Sequence, residues 1–190
     1  MRDLIKKISA YLLWPFWKIT FLKFGPRSII YKPLRIRGQR NIKIGNNVAI
    51  HEYSWLEVVE NKKSNVSELK IGEGTVIGHF NHIICSEKIT IGKNVLTADK
   101  VYISDNSHEY QNVDMPIRLQ KIVQLKNVVI GDGAWIGENV CIIGASVGKG
   151  SVIGANSVVT KSIPDYSIAV GTPAEIIKFY NKKTKIWEKV

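Results

Sequence analysis

From residue 42 onward, aliphatic residues return at every sixth position. "NIKIGNNVAIHEYSWLEV" places them at Ile44, Ile50 and Leu56. "LKIGEGTVIGHFNHII" repeats the spacing at Ile71, Ile77 and Ile83, and "KITIGKNVLTADKVYIS" gives Ile91 and Ile103 with Thr97 between them. Further along come Ile130, Ile136 and Ile142, then, after a slip of one residue, Val147, Ile153 and Val159. Many of these aliphatics precede a glycine: Gly45, Gly72, Gly78, Gly92, Gly131, Gly137, Gly148 and Gly154. A period of six matches neither the 3.6 of a helix nor the 2 of a two-faced strand. It matches a short strand plus a tight turn, three to a coil, wound as a triangular prism with one inward aliphatic per face. Gly, Asn and Asp suit the corners, where positive φ is tolerated. A β-sandwich with glycine turns is the competing reading, but its strands would recur every 8–12 residues or so. The expected class is all-β, a parallel β-helix.

The rhythm breaks between Ser104 and Leu125. A solenoid wall has no room for extra residues, so this stretch is expected to leave the prism as a loop. Loops mounted on rigid scaffolds are a common seat of chemistry. It holds Asp105, His108, Glu109 and Pro116. His108 follows the strand "KVYIS" closely, so the wall anchors it. Taken alone, a loop histidine is more often surface decoration than catalyst.

Charge changes the picture at the N-terminus. The 190 residues carry a net +11, yet residues 1–40 hold ten of the basic side chains against one acid, Asp3. The basic region is also apolar: "LIKKISAYLLWPFWKITFLKF". Its longest uncharged run, Ile8 to Trp17, is far short of the roughly 20 residues that span a bilayer. Lysines around Trp14, Phe16 and Trp17 fit a segment lying on an anionic membrane, with Pro15 splitting it in two. Packing on its own domain or a neighbouring subunit is the alternative. No nucleic-acid partner is expected, because the basic part is greasy. Cys85 and Cys141 are the only cysteines, too few for a disulfide framework. A reducing, cytoplasmic compartment follows, on the inner face of the membrane if the arm binds lipid. The domain reading is an arm at 1–24, a β-helix at 25–175, and a short helix with a basic tail at 176–190.

The motifs "VVIGDGAWIGENVCIIG" and "GSVIGANSVVTKSIPDYSIAVGTPAEIIK", with "FGPRSIIYKPLRIRGQRNIKIG" before them, resemble the hexapeptide-repeat acyltransferases of the sugar and polysaccharide O-acetyltransferase type. The match covers roughly residues 25–180. The resemblance implies a left-handed β-helix, a homotrimer, acetyl-CoA as co-substrate and no metal. Related enzymes carry an Asp-His-x-His-Gly-Tyr type of motif in the loop, its second histidine being the catalytic base. "DNSHEY" keeps Asp105 and His108, with Asn106 and Glu109 replacing the first His and the Gly. The implied reaction moves an acetyl group to a sugar hydroxyl of a cell-surface polysaccharide, such as capsule or lipopolysaccharide, or of its lipid-linked precursor.

That chemistry accounts for the histidine. An alcohol is a weak nucleophile at neutral pH, and an imidazole titrating near 6.5 can take its proton and pass one to the leaving thiolate. Asp105 or Glu109 could fix the second ring nitrogen. Donor contacts carried over by resemblance are Trp135, Ala155, Thr160, Lys161 and Lys178, the lysines serving CoA phosphates as point charges. Trp135 also reads as plain packing, and each lysine as a solvated surface residue. Acceptor contacts carried over are Asn81 and His82. Cys85 and Cys141 read as small core residues. Zinc carbonic anhydrases share this kind of fold but need three converging histidines, two from one loop, and the insert holds only His108. A non-catalytic scaffold would lack the loop base. An enzyme for a small soluble acceptor (a free sugar, an antibiotic or an amino acid) is the alternative activity.

Overall fold

In the computed structural model, described for residues 10–59 and 67–190, the chain winds into a triangular prism. Its walls are three parallel sheets, and each coil contributes a short strand to each wall in turn. One wall runs Lys23–Phe24, Ile42–Ile44, Glu68–Ile71, Lys88–Ile91 and Val128–Ile130. The second runs from Ile29–Ile30 to Ser167–Val170, and the third from Arg35–Arg37 to Val158–Val159.

The six-residue spacing is the register. Ile44 lies beside Ile71, which lies beside Ile91, which lies beside Ile130. Ile50 meets Ile77 on the second wall, where Thr97, Ile136 and Ile153 continue the column. On the third wall Leu56, Ile83, Ile103, Ile142 and Val159 stack in order. Each of these side chains is at most 1% exposed, so the three columns are the core. Thr97 fits there because its hydroxyl accepts the Gly78 N–H at 3.1 Å. At the corner between the second and third walls, Tyr53, Phe80, Lys100, Asn139 and Asn156 all adopt the left-handed conformation. Gly78 admits no side chain, since a Cβ would meet Ala98 O at 2.4 Å.

Both ends of the prism are closed. The helix Trp14–Thr20 (α1), with Pro15 in its first turn, packs Trp17, Phe21 and Phe24 in edge-to-face and tilted contacts over the first coil. Trp17 is therefore core, and Trp14 donates its indole N–H to Gly25 O at 3.3 Å. Of the three aromatics expected at a lipid surface, only Phe16 faces outward, at 49% exposure. Residues 1–9 of the arm lie outside the described residues.

The other end corrects the sequence reading. Residues 176–190 form no helix. Glu175–Asn181 and Ile186–Lys189 are strands, added antiparallel to the edge of Ser167–Val170. The last parallel strand would otherwise present an unpaired edge. The β-branched pair Ile176–Ile177 and the Phe179–Tyr180 pair suit a pleated surface better than a helix. Asn181 closes the turn by accepting the Lys183 N–H at 2.9 Å.

Candidate active site

The excursion leaves the third wall directly after Tyr102–Ser104 and returns before Val128–Ile130. It does not hang free. Asn106–His108 pairs antiparallel with Ile122–Gln124, with His108 opposite Ile122, and Glu109 N–H bonds to Lys121 O at 2.8 Å. The root of this ribbon is Asp105, wholly buried. Its Oδ1 accepts the Ser86 N–H at 2.7 Å, the Ser86 hydroxyl at 3.1 Å and the Asn106 amide at 3.0 Å. Its Oδ2 accepts the Glu87 and Lys88 N–H groups at 2.8 and 2.9 Å.

Of the two acids expected to fix the His108 ring, Asp105 or Glu109, this removes Asp105. Both carboxylate oxygens are committed to the preceding coil, where a bend at Ser86–Glu87 turns its N–H groups toward one point. Asp105 anchors the loop, and among the described residues no hydrogen bond fixes the His108 ring. The burial of Cys85, and then the charge of Asp105 beside it, push the Cys85 thiol well above its ordinary range. It is a core residue, as expected, and no nucleophile.

His108 lines a groove of about 350 Å³ with Glu57, Val59, Ile84, Tyr102, Asn106, Ser107, Ile122 and Ile143. One side of the groove is the outer face of the third wall. There Arg35, Trp55, His82, Tyr102 and Cys141 stand in one column, each beside the next in register. Trp55 and His82 stack with centroids 4.3 Å apart, and His82 meets Tyr102 edge-on at 5.4 Å. Glu57 is held at the groove by the Trp55 indole N–H at 2.9 Å and the Arg37 guanidinium at 3.3 Å. Arg35 covers the Trp55 ring at 5.1 Å. Glu57 and this aromatic ladder escaped the reading of the sequence. The signal was present as Trp55, His82 and Tyr102 at equal register, one residue before each inward aliphatic of the third wall.

His82, expected as an acceptor contact, is on the outer face of the same wall beside the groove-lining Tyr102 and does not itself line the groove. Burial, only partly offset by the charge of Glu57, lowers its pKa, and its Nε2 is buried with no hydrogen-bond partner among the described residues. Asn81 does not join it. It is wholly buried at the corner, its amide donating to Ala98 O at 2.8 Å and His79 O at 3.2 Å, so it faces the prism interior and not the groove.

The donor residues fall into two sets. Trp135, exposed at 51%, lies on the second wall beside Leu96 and Val152. Lys178 is on the same sheet, on an added strand beside Ile168, and Ala155 is at the corner that follows Val152–Ile153. Thr160 and Lys161 are exposed at the far end of the third wall, directly after Val158–Val159. That is the edge from which the His108 ribbon departs. Within one chain, therefore, Trp135 and Lys178 are on a different face from Lys161 and His108.

Residues 127–161 match the family model described as the hexapeptide repeat of succinyl-transferase. The putative lipopolysaccharide biosynthesis O-acetyl transferase WbbJ of Escherichia coli is 42% identical over 120 residues, 60% of this chain and 61% of that one. A probable acetyltransferase of Mycobacterium tuberculosis is 34% identical over 89% of this chain and 59% of its own length. The chain thus spans about three-fifths of these two relatives. A putative acetyltransferase of Saccharomyces cerevisiae is 34% identical across 79% of this chain and 85% of its own. Among solved structures, the N-acyltransferase AntD of Bacillus cereus, crystallised with dTDP and 3-hydroxybutyryl-CoA, superposes with a TM-score of 0.73 at 22% identity, covering 90% of this chain and 89% of that one. With its stacked hexapeptide columns and its His108 excursion, the chain belongs to the hexapeptide-repeat acetyltransferases, which are built on a left-handed parallel β-helix.

Proposed function

We propose that the protein transfers an acetyl group from acetyl-CoA to a sugar hydroxyl of a cell-surface polysaccharide or its lipid-linked precursor. The observation that carries this reading is the groove: a histidine on an anchored ribbon shares it with Tyr102 and a clamped carboxylate, Glu57, on a wall that continues into the Trp55–His82 stack. Sugar rings present apolar C–H faces that pack on aromatic side chains, and a fixed carboxylate accepts from sugar hydroxyls. The O-acetyl transferase name of the 42% identical relative supports the ester product, and the CoA complexes of proteins with this fold support the donor.

In this reading His108 accepts the proton of the attacking hydroxyl. The oxygen bonds to the thioester carbonyl carbon, the C–S bond breaks, and the proton passes to the departing thiolate. General-base help of this kind contributes about 10²–10⁴-fold in rate. Glu57 and His82 serve the acceptor, and Trp135, Ala155, Thr160, Lys161 and Lys178 serve the donor. Because the donor residues occupy two faces of one prism, a single CoA meets all of them only where faces of neighbouring subunits meet. This supports a homotrimer with sites between subunits. Leu12 and Ile19, exposed at 75% and 69%, join Phe16 on the outer side of the arm, with Lys18 nearby. This apolar and basic surface fits peripheral attachment to the cytoplasmic face of the membrane.

The test is incubation of the full chain with acetyl-CoA and a panel of sugars, glycolipids and amino sugars. Thiol release reports transfer, and hydroxylamine lability of the product separates ester from amide. An acetyl ester on a sugar supports the proposal. A hydroxylamine-stable amide as the sole product overturns O-acetylation. Acetylation confined to an antibiotic or amino acid would favour the small-acceptor reading.

A further inference from the structure

Away from the His108 ribbon, the corner between the second and third walls carries a second group of side chains. We propose that His51, Glu52 and His79 bind a divalent transition-metal ion of the zinc class. The coils set the arrangement. Phe80 N–H bonds to Glu52 O at 3.1 Å, and Lys100 N–H bonds to His79 O at 2.8 Å, so Glu52, His79 and Asp99 stand one above another in successive coils. His79 Nε2 lies 3.3 Å from Glu52 Oε2, and His51 Nδ1 lies 3.8 Å from the same oxygen. The three ligand atoms lie within 4.8 Å of one another. Zinc bonds of about 2.0–2.2 Å in a tetrahedron place ligand atoms roughly 3.3–3.6 Å apart, so small ring rotations close the set.

Two further features fit a metal better than a simple ion pair. Asp99 Oδ1 lies 3.1 Å from His79 Nδ1 and also accepts the His79 backbone N–H at 2.8 Å. A carboxylate on Nδ1–H fixes the tautomer that turns the Nε2 lone pair toward Glu52, the second-shell support that metal-bound histidines commonly have. The other feature is His51. An ion pair between His79 and its two carboxylates has no use for a second imidazole, yet His51 sits with its ring centroid 4.8 Å from that of His79, its own outer face stacked on Tyr31 at 5.4 Å. Both rings converge on one carboxylate oxygen. The His51, Glu52 and His79 side chains are 33%, 11% and 42% exposed, so water has access to a fourth position. Two nitrogens and one carboxylate suit zinc, and also nickel or cobalt, over magnesium or calcium. This departs from the reading of the sequence, which assigned no metal because no loop supplies paired histidines. Here they come from adjacent coils.

The ion would tie adjacent coils together at one corner. The test uses tag-free full-length protein stripped with EDTA, titrated with Zn²⁺ by calorimetry and with Co²⁺ by visible absorption. We expect one ion per chain and the intense bands of four-coordinate Co²⁺. His79→Ala and His51→Ala should each abolish or greatly weaken binding, and Asp99→Asn should weaken it about 10–100-fold, with far-ultraviolet circular dichroism unchanged. His82→Ala should leave binding as in the parent. A parent protein with no stoichiometric Zn²⁺ binding and no four-coordinate Co²⁺ spectrum overturns the proposal, whatever the variants do. So does binding that survives both His51→Ala and His79→Ala.

Discussion

The wall of the prism and the ribbon that interrupts it obey different rules. In the wall, nearly every inward aliphatic has another aliphatic beside it in an adjacent coil, and its burial depends on that coil. Stability there is shared along a column and is nearly blind to chemistry. The ribbon buries almost nothing: Val113, Met115, Ile117, Leu119 and Ile122 are all exposed. It is held instead at one point, through the hydrogen bonds of Asp105. The wall thus supplies rigidity by repetition and the ribbon supplies one unrepeated side chain, His108, at a fixed distance from that wall. The contrast teaches where substitutions should damage stability and where they should damage only turnover.

The sharpest way to break this comparison is to cut a column. Ile83→Ala removes a wholly buried side chain between Leu56 and Ile103, and should cost about 2–5 kcal/mol of unfolding free energy in urea titration. A cost under 0.5 kcal/mol would mean that the coils do not depend on one another. Next comes the anchor. Asp105→Asn replaces one oxygen with a donor facing N–H groups and should cost about 1.5–3 kcal/mol. Its loss of turnover should follow the loss of folded protein. If turnover falls while the unfolding midpoint stays fixed, Asp105 orients the base after all. Smallest is the ribbon surface: Leu119→Ala, on an exposed side chain, should stay within about 0.5 kcal/mol of the parent.

Acidity sharpens the same contrast on the outer wall. Burial holds the pKa of His82 below its ordinary 6.5. The unfolded chain therefore binds a proton more readily than the folded one. The stability owed to neutral His82 is present above about pH 6.5 and is lost as the pH falls from there through the lower folded value. The melting midpoint should fall on acidification below pH 6.5, and His82→Gln should flatten that fall. An unchanged profile in the variant would assign the loss elsewhere.

Much of this architecture was legible because a solenoid writes its geometry directly into its period. Ile44, Ile71, Ile91 and Ile130 could be aligned by spacing and proved to be neighbours in space. The His108 excursion was legible as a place where the period failed. The C-terminal strands were not, because their fold answers an unpaired sheet edge, which is a property of the assembled prism and not of "AEIIKFYN". Asp105 and Asn81 were misread for a related reason. A short polar residue at a coil corner turns inward to satisfy backbone groups of an adjacent coil, and a motif does not show which way it turns. Glu57 and Tyr102 of the groove, and the Trp55 and His82 rings beside them on the same wall, come from three coils, so only the stacked register brings them together.

The central claim is that His108 acts as base in a step that the wall merely positions. The most direct measurement is turnover with acetyl-CoA and an accepted sugar for His108→Ala beside the parent, with CoA affinity and unfolding free energy measured on the same samples. Turnover should fall about 10²–10⁴-fold, while CoA affinity and unfolding free energy stay at parent values. Parent-level turnover in His108→Ala would remove the histidine from the mechanism and leave the ribbon without its assigned purpose.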